Sequence, residues 1–69
     1  MICYDPFWET LKRKKVTGYA LVYKHNVSNG TLYRMRKNEP LSTVTINDLC
    51  KILQCRVEDI LLFVNEENE

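Results

Sequence analysis

The sequence predicts one all-α domain built from five short helices, and three observations predict it. Sixty-nine residues are enough for a single small domain and too few for two. Only two glycines and two prolines punctuate the chain, and both residue types are the usual interrupters of regular structure. Between them, apolar residues recur three and four positions apart, the spacing that puts side chains on one face of a helix. The domain is expected to span residues 1–69, with its core over about 5–64 and an acidic tail at 65–69.

The first helix is expected to open at Asp5-Pro6, with Asp5 as N-cap and proline in the first turn. Phe7, Trp8 and Leu11 form its buried stripe, and Lys12-Arg13-Lys14-Lys15 close it, where cations complement the negative end of the helix dipole. Thr17 caps a second helix that runs to Lys24, with Ala20, Leu21 and Val22 inward. Asn26 follows in the turn, since asparagine tolerates left-handed geometry. Ser28 caps a third helix. Leu32 and Met35 face its core side, while Asn29, Thr31, Tyr33, Arg34 and Lys37 face outward. Asn38-Glu39-Pro40 ends it.

Ser42 or Thr43 opens the fourth helix, with Ile46, Leu49 and either Ile52 or Leu53 inward. The fifth is expected from about Arg56, because Val57, Ile60, Leu61 and Val64 fall at i, i+3, i+4 and i+7. Five consecutive apolar residues, Ile60 to Val64, exceed what one face of a small bundle buries. Leu62 and Phe63 are therefore expected to point outward as a homodimer interface, rimmed by Glu58, Asp59 and Glu66. The alternative is that Phe63 folds back on Trp8 or Tyr4 and leaves a monomer.

Charge is strongly segregated. Residues 12–37 hold eight lysines and arginines and no acid, a charge of +8; two bases and nine acids elsewhere carry −7, leaving +1 overall. One face suited to a polyanion is the implication. Several function classes lose support at once. No apolar stretch approaches the length of a membrane span, and Met1 to Pro6 shows no basic segment leading into an apolar one, so a cytoplasmic location is expected. One histidine and no CxxC pair give no metal site, and no serine or cysteine has an evident base, so neither cofactor, small-molecule substrate nor enzymatic activity is expected. Cys50 and Cys55, five apart, would stand about 140° apart on a continuous helix. They and Cys3 read as small buried apolar residues, with a thiol redox sensor the weak alternative.

Thr17 to Met35 has the parts of a helix-turn-helix: a cap, a small inward Ala20, a tight turn at Asn26, apolar Val27, a second cap at Ser28, and inward Leu32 and Met35. Those residues, with Leu21, Thr31, Arg34, Ser42, Thr45-Ile46, Leu49, Leu53 and Val57, resemble the phage repressor/Cro-like family, also called the xenobiotic-response-element family of regulators. The resemblance spans about residues 5–61. It implies a compact five-helix, lambda-repressor-like bundle and a sequence-specific DNA-binding transcriptional regulator. It also implies that double-stranded DNA is the partner, with Asn29, Thr31, Tyr33 and Arg34 toward base edges and Lys37 and Asn38 toward phosphates; Thr17 and Ser28 complete the expected DNA-binding set. Gly18 stands where many relatives carry a glutamine, Gly30 lies inside the recognition helix, and Asn26 replaces the usual turn glycine. The same fold used as an antitoxin-like or adaptor module for an acidic protein is the alternative.

Overall fold

A computed structural model describes residues 1–65, so of the acidic tail expected at 65–69 all but Asn65 lies outside the described residues, Glu66 included. Four α-helices carry the fold: α1 (Asp5–Lys14), α2 (Gly18–His25), α3 (Asn29–Arg36) and α4 (Thr43–Leu53). A 3-10 turn, Val57–Asp59, follows α4. A two-stranded antiparallel sheet completes it, β1 (Ile2–Cys3) against β2 (Leu62–Phe63), with Ile2 opposite Phe63 and Cys3 opposite Leu62.

The helix starts follow from side-chain chemistry. Thr17, Ser28 and Ser42 have extended backbones, and their hydroxyls accept from the N–H three residues on, at Ala20 (3.0 Å), Thr31 (3.0 Å) and Thr45 (3.1 Å). Each satisfies a donor that a helix N-terminus otherwise leaves unpaired. Ser42, not Thr43, is thus the cap of α4. The expected cap at Asp5 is one residue out: Tyr4 holds that position without a side-chain bond, and Asp5 lies in the first turn. Asn26 adopts the expected left-handed conformation at φ 60°. Lys15, Asn38 and Gln54 do the same without glycine's freedom.

The core gathers Tyr4, Phe7 and Leu11 of the first segment, Leu21 of α2, Leu32 and Met35 of α3, Ile46, Leu49 and Leu53 of α4, and Ile60. Leu53 is therefore buried where the spacing left Ile52 open, and Ile52 packs at the core's edge. Tyr4 ties two distant parts together. Its N–H donates to Asn38 Oδ1 (3.1 Å) and its hydroxyl to the Glu39 carbonyl (2.8 Å), which clamps the start of α1 to the exit of α3.

The fifth helix is not formed. After the 3-10 turn the chain extends, and the backbones of residues 62–64 find partners in 1–3 instead of in a next helical turn; Val64 N–H donates to the Met1 carbonyl at 2.8 Å. Of the expected inward stripe, only Ile60 is buried, while Val57 is 52 % exposed and Val64 also faces out. Asp59 explains part of this. Its carboxylate accepts from Arg56 N–H (3.0 Å) and lies near Arg13 (3.8 Å), and its carbonyl accepts from the buried Thr10 hydroxyl (2.7 Å). The turn is thereby pinned to α1.

Two predictions follow. Thr10→Val keeps the volume and removes the bond to Asp59, so it is expected to cost about 1 kcal/mol, lowering the thermal midpoint by about 4–8 °C in a melt followed by Trp8 fluorescence. Burial pushes the Tyr4 phenol above the ordinary tyrosine value. The neutral form is therefore the one the fold favours: its stabilisation is full below the unfolded tyrosine pKa, about 10, and is lost as pH rises through the higher folded value. In urea unfolding, the stability gap between wild type and Tyr4→Phe should narrow from about pH 8 to about pH 11.

Candidate nucleic-acid interface

The exposed surface of α3 is set by what its opposite side buries. Leu32 and Met35 are in the core, and Thr31 joins them at 7 % exposure. That corrects the outward placement expected for Thr31. Its hydroxyl lies 2.9 Å from Ser28 Oγ, so its polarity is satisfied within the cap and it presents nothing to a base edge. The outward side then holds two adjacent stripes one helical turn apart: Asn29, Tyr33 and Lys37, and beside them Gly30 and Arg34, all exposed. The Lys37 ammonium stands 5.4 Å from the Tyr33 ring centroid, a cation–π distance.

The remaining expected site residues divide. Thr17 is exposed at the start of α2; its oxygen accepts from Ala20 and its own proton remains available to an acceptor. Ser28 is exposed, but its hydroxyl serves the cap and Thr31. Asn38, expected toward phosphates, is half-buried at φ 56°, and its amide oxygen accepts from Tyr4 N–H.

The basic residues are not equivalent either. Lys12 pairs with Glu9 (3.9 Å) and Arg13 with Asp59 (3.8 Å), both at exposed positions where such pairs are weak. The Arg36 guanidinium lies 5.4 Å from the Trp8 ring centroid, toward α1 and away from the Tyr33–Arg34 side. Among the described residues, Lys14, Lys15, Lys24 and Arg34 enter no ion pair with an acid. On α2, Tyr19 and Tyr23 are both exposed, their rings 4.5 Å apart and one turn apart in sequence. Sequence reasoning gave this pair no role, although their i, i+4 spacing on a helix was its visible signal.

Leu62 and Phe63 are exposed as expected, 41 % and 69 %, but on a strand and not on a helix. Phe63 does not fold back on Trp8 or Tyr4. Ile2, the cross-strand partner of Phe63, is exposed on the same face of the sheet, and Val64 is exposed as well; Leu62 points to the other face, with Cys3.

The cysteines depart from the expected separation. Because α4 stops at Leu53 and Gln54 turns left-handed, Cys55 comes back under the helix end, its N–H donating to the Cys50 carbonyl (3.1 Å). Both side chains pack against the core. Burial first, and then the neighbouring Cys50 thiol, push the Cys55 pKa up, which disfavours the thiolate that sensing chemistry needs. Among the described residues no three histidine, cysteine or acidic side chains are placed to hold a metal ion, and no helix is long and apolar enough to cross a membrane. A cleft of about 240 Å³ lies between the Asn26 turn and α4. Its serine and threonine hydroxyls are already committed to caps, Ser28 with Thr31 and Thr45 with Ser42, so it reads as the seam between two helices.

The arrangement is two short helices crossing through Leu21, Leu32 and Met35, with an abruptly started second helix offering amide, phenol and guanidinium groups to solvent. Among solved structures the chain is similar to the crystal structure of transcriptional regulator VanUg, form II, with a TM-score of 0.84 and 26 % identity, covering 94 % of this chain and 87 % of that one. No curated protein matches it. Residues 7–66 match the model of the Cro/C1-type HTH DNA-binding domain, and the chain belongs to that family.

Proposed function

We propose that the protein is a sequence-specific DNA-binding transcriptional regulator that inserts α3 into the major groove as a homodimer. The observation that carries this reading is the exposed side of α3. Asn29, Tyr33, Arg34 and Lys37 stand together on it, within a stretch of chain that holds no acid. Arg34 is the base reader: a guanidinium donates two parallel hydrogen bonds to guanine O6 and N7, and Asn29 offers the matching pair to adenine. Thr17 and Lys37, at the start of α2 and the end of α3, serve the phosphates. Lys14, Lys15 and Lys24 add charge neutralisation. Thr31 is left out of the interface, because it is buried and its hydroxyl pairs with Ser28; Asn38, whose oxygen alone is taken by Tyr4, keeps its amide NH2 for a phosphate.

The dimer rests on the sheet. Leu62 and Phe63, with Ile2 and Val64, make the apolar surface that a monomer would leave in water. A two-fold arrangement through it gives two recognition helices and a near-palindromic site with half-sites about 34 Å apart.

Selection of bound duplexes from a random pool tests the reading directly, and an enriched motif is expected. On that motif Arg34→Ala should weaken binding by about 1–3 kcal/mol and relax preference at one base pair; an equal loss on random DNA would make Arg34 a phosphate contact. With roughly five phosphates neutralised per subunit, the log–log salt slope should be about −4 to −5 per subunit. No enrichment, with an acidic protein captured instead, would favour the adaptor reading. Leu62→Glu/Phe63→Glu should convert a dimer at tens of micromolar, about the range where weak interfaces populate, into a monomer by sedimentation equilibrium. A wild-type monomer, unchanged in the variant, would remove the dimer.

A further inference from the structure

Gly30 sits in the first turn of α3, at a position where glycine is the poorest helix former after proline. Neither of the usual reasons for glycine applies. Its backbone is not left-handed, and a Cβ built on it would meet no backbone or core atom within ordinary contact. What such a Cβ would meet is the Arg34 guanidinium, with Nη1 at 3.5 Å, and the Ser28 hydroxyl at 3.7 Å. Arg34 therefore lies back along the helix, over the position one turn before it, as long helical side chains do. Its charged end lies beside residue 30, 3.5 Å from where a Cβ would stand, next to the cap that starts the helix. Lys37 leans the same way, over Tyr33.

We infer that Gly30 is a positioning residue for base recognition: the side chain it lacks leaves the seat on which the Arg34 guanidinium lies, bringing that group to the N-terminal end of α3. The inference rests on the DNA-reading function proposed above. It is consistent with helix-turn-helix geometry, in which the first residues of the second helix contact base edges. An arginine one turn further along the helix would otherwise project beside the groove-entering end. A methyl group at residue 30 would touch Nη1 at van der Waals distance. Side chains with γ atoms fill the space between Nη1 and Ser28 Oγ, and so compete with the guanidinium for the same place. A residue without γ atoms is thus what lets position 34 supply the chemistry of position 30 as well.

The experiment is a double-mutant cycle read as discrimination, not affinity. Wild type, Gly30→Leu, Arg34→Ala and the double variant are each titrated with the selected duplex and with duplexes substituted at the base pair that Arg34→Ala relaxes. Gly30→Leu is expected to reduce discrimination at that base pair by about ten-fold, within the range of one bidentate arginine–guanine contact, and to add no loss in the Arg34→Ala background. Leucine raises helix propensity, and circular dichroism checks that α3 is retained. Gly30→Met, longer and more flexible, is expected to give a smaller loss in the same direction, and serves if the leucine variant misfolds. Unchanged discrimination in Gly30→Leu, or an equal loss in both backgrounds, overturns the positioning role while leaving DNA recognition intact. A wild type that discriminates at no base pair overturns the DNA reading itself, and the role of Gly30 with it.

Discussion

The hydroxyl of Ser28 fixes where α3 begins, and most of what the molecule offers to solvent depends on that starting point. It accepts the Thr31 N–H and pairs with the Thr31 hydroxyl, so the chain passes from an extended residue into a helix within one position. Moving the start by one residue would rotate every following side chain by about 100°. Leu32 and Met35 would then leave their places in the core, to be taken by Tyr33 and Arg36 or, for a shift the other way, by Thr31 and Arg34. The cap alone is worth about 1 kcal/mol. The burial of Leu32 and Met35 against Leu21 and Leu49 is worth about 2 kcal/mol or more per side chain. Both favour the same register, and that agreement makes the exposed side of α3 well defined.

The second constraint is electrostatic. A charge of +8 over residues 12–37 overstates what a polyanion meets. Glu9 and Asp59 lie beside Lys12 and Arg13, and Arg36 is laid over Trp8. The residues left outward on the helix-turn-helix are Lys24, Arg34 and Lys37, with Lys14 and Lys15 at the end of α1. Arg13 and Arg36 instead strap α1 to the Asp59 turn and to α3. Three of the eight basic residues thus have a structural neighbour, and surface pairs of this kind are weak enough to yield to a phosphate.

The helix-turn-helix was legible in the sequence because its determinants are local. Caps at Thr17 and Ser28, a left-handed Asn26, and the i, i+3 pair Leu32 and Met35 act within a few residues of where they stand. The largest departure lies where a distant partner decides. Ile60 to Val64 is an apolar run too short to distinguish helix from strand, and the pairing that settles it comes from Met1 to Cys3, some sixty positions away. Thr31 was assigned outward by its polarity, which fails when a hydroxyl finds its partner in the adjacent cap. The tie of the Asn38 oxygen to Tyr4 N–H joins residues thirty-four positions apart, which local spacing does not show. The separation of Cys50 from Cys55 assumed a helix that Gln54 had already ended. Gly30 is the instructive case at the site. As sequence it is a weakness in the recognition helix; with Arg34 lying over it, it is a seat.

Backbone amide chemical shifts during titration with the selected duplex test the central claim most directly, since they report contact at each residue without altering any. The account predicts perturbations concentrated at Thr17, at Asn29 to Arg34 and at Lys37, with little change across Ile46 to Leu53. Perturbations centred on α4, with α3 unmoved by a duplex that binds, would contradict it.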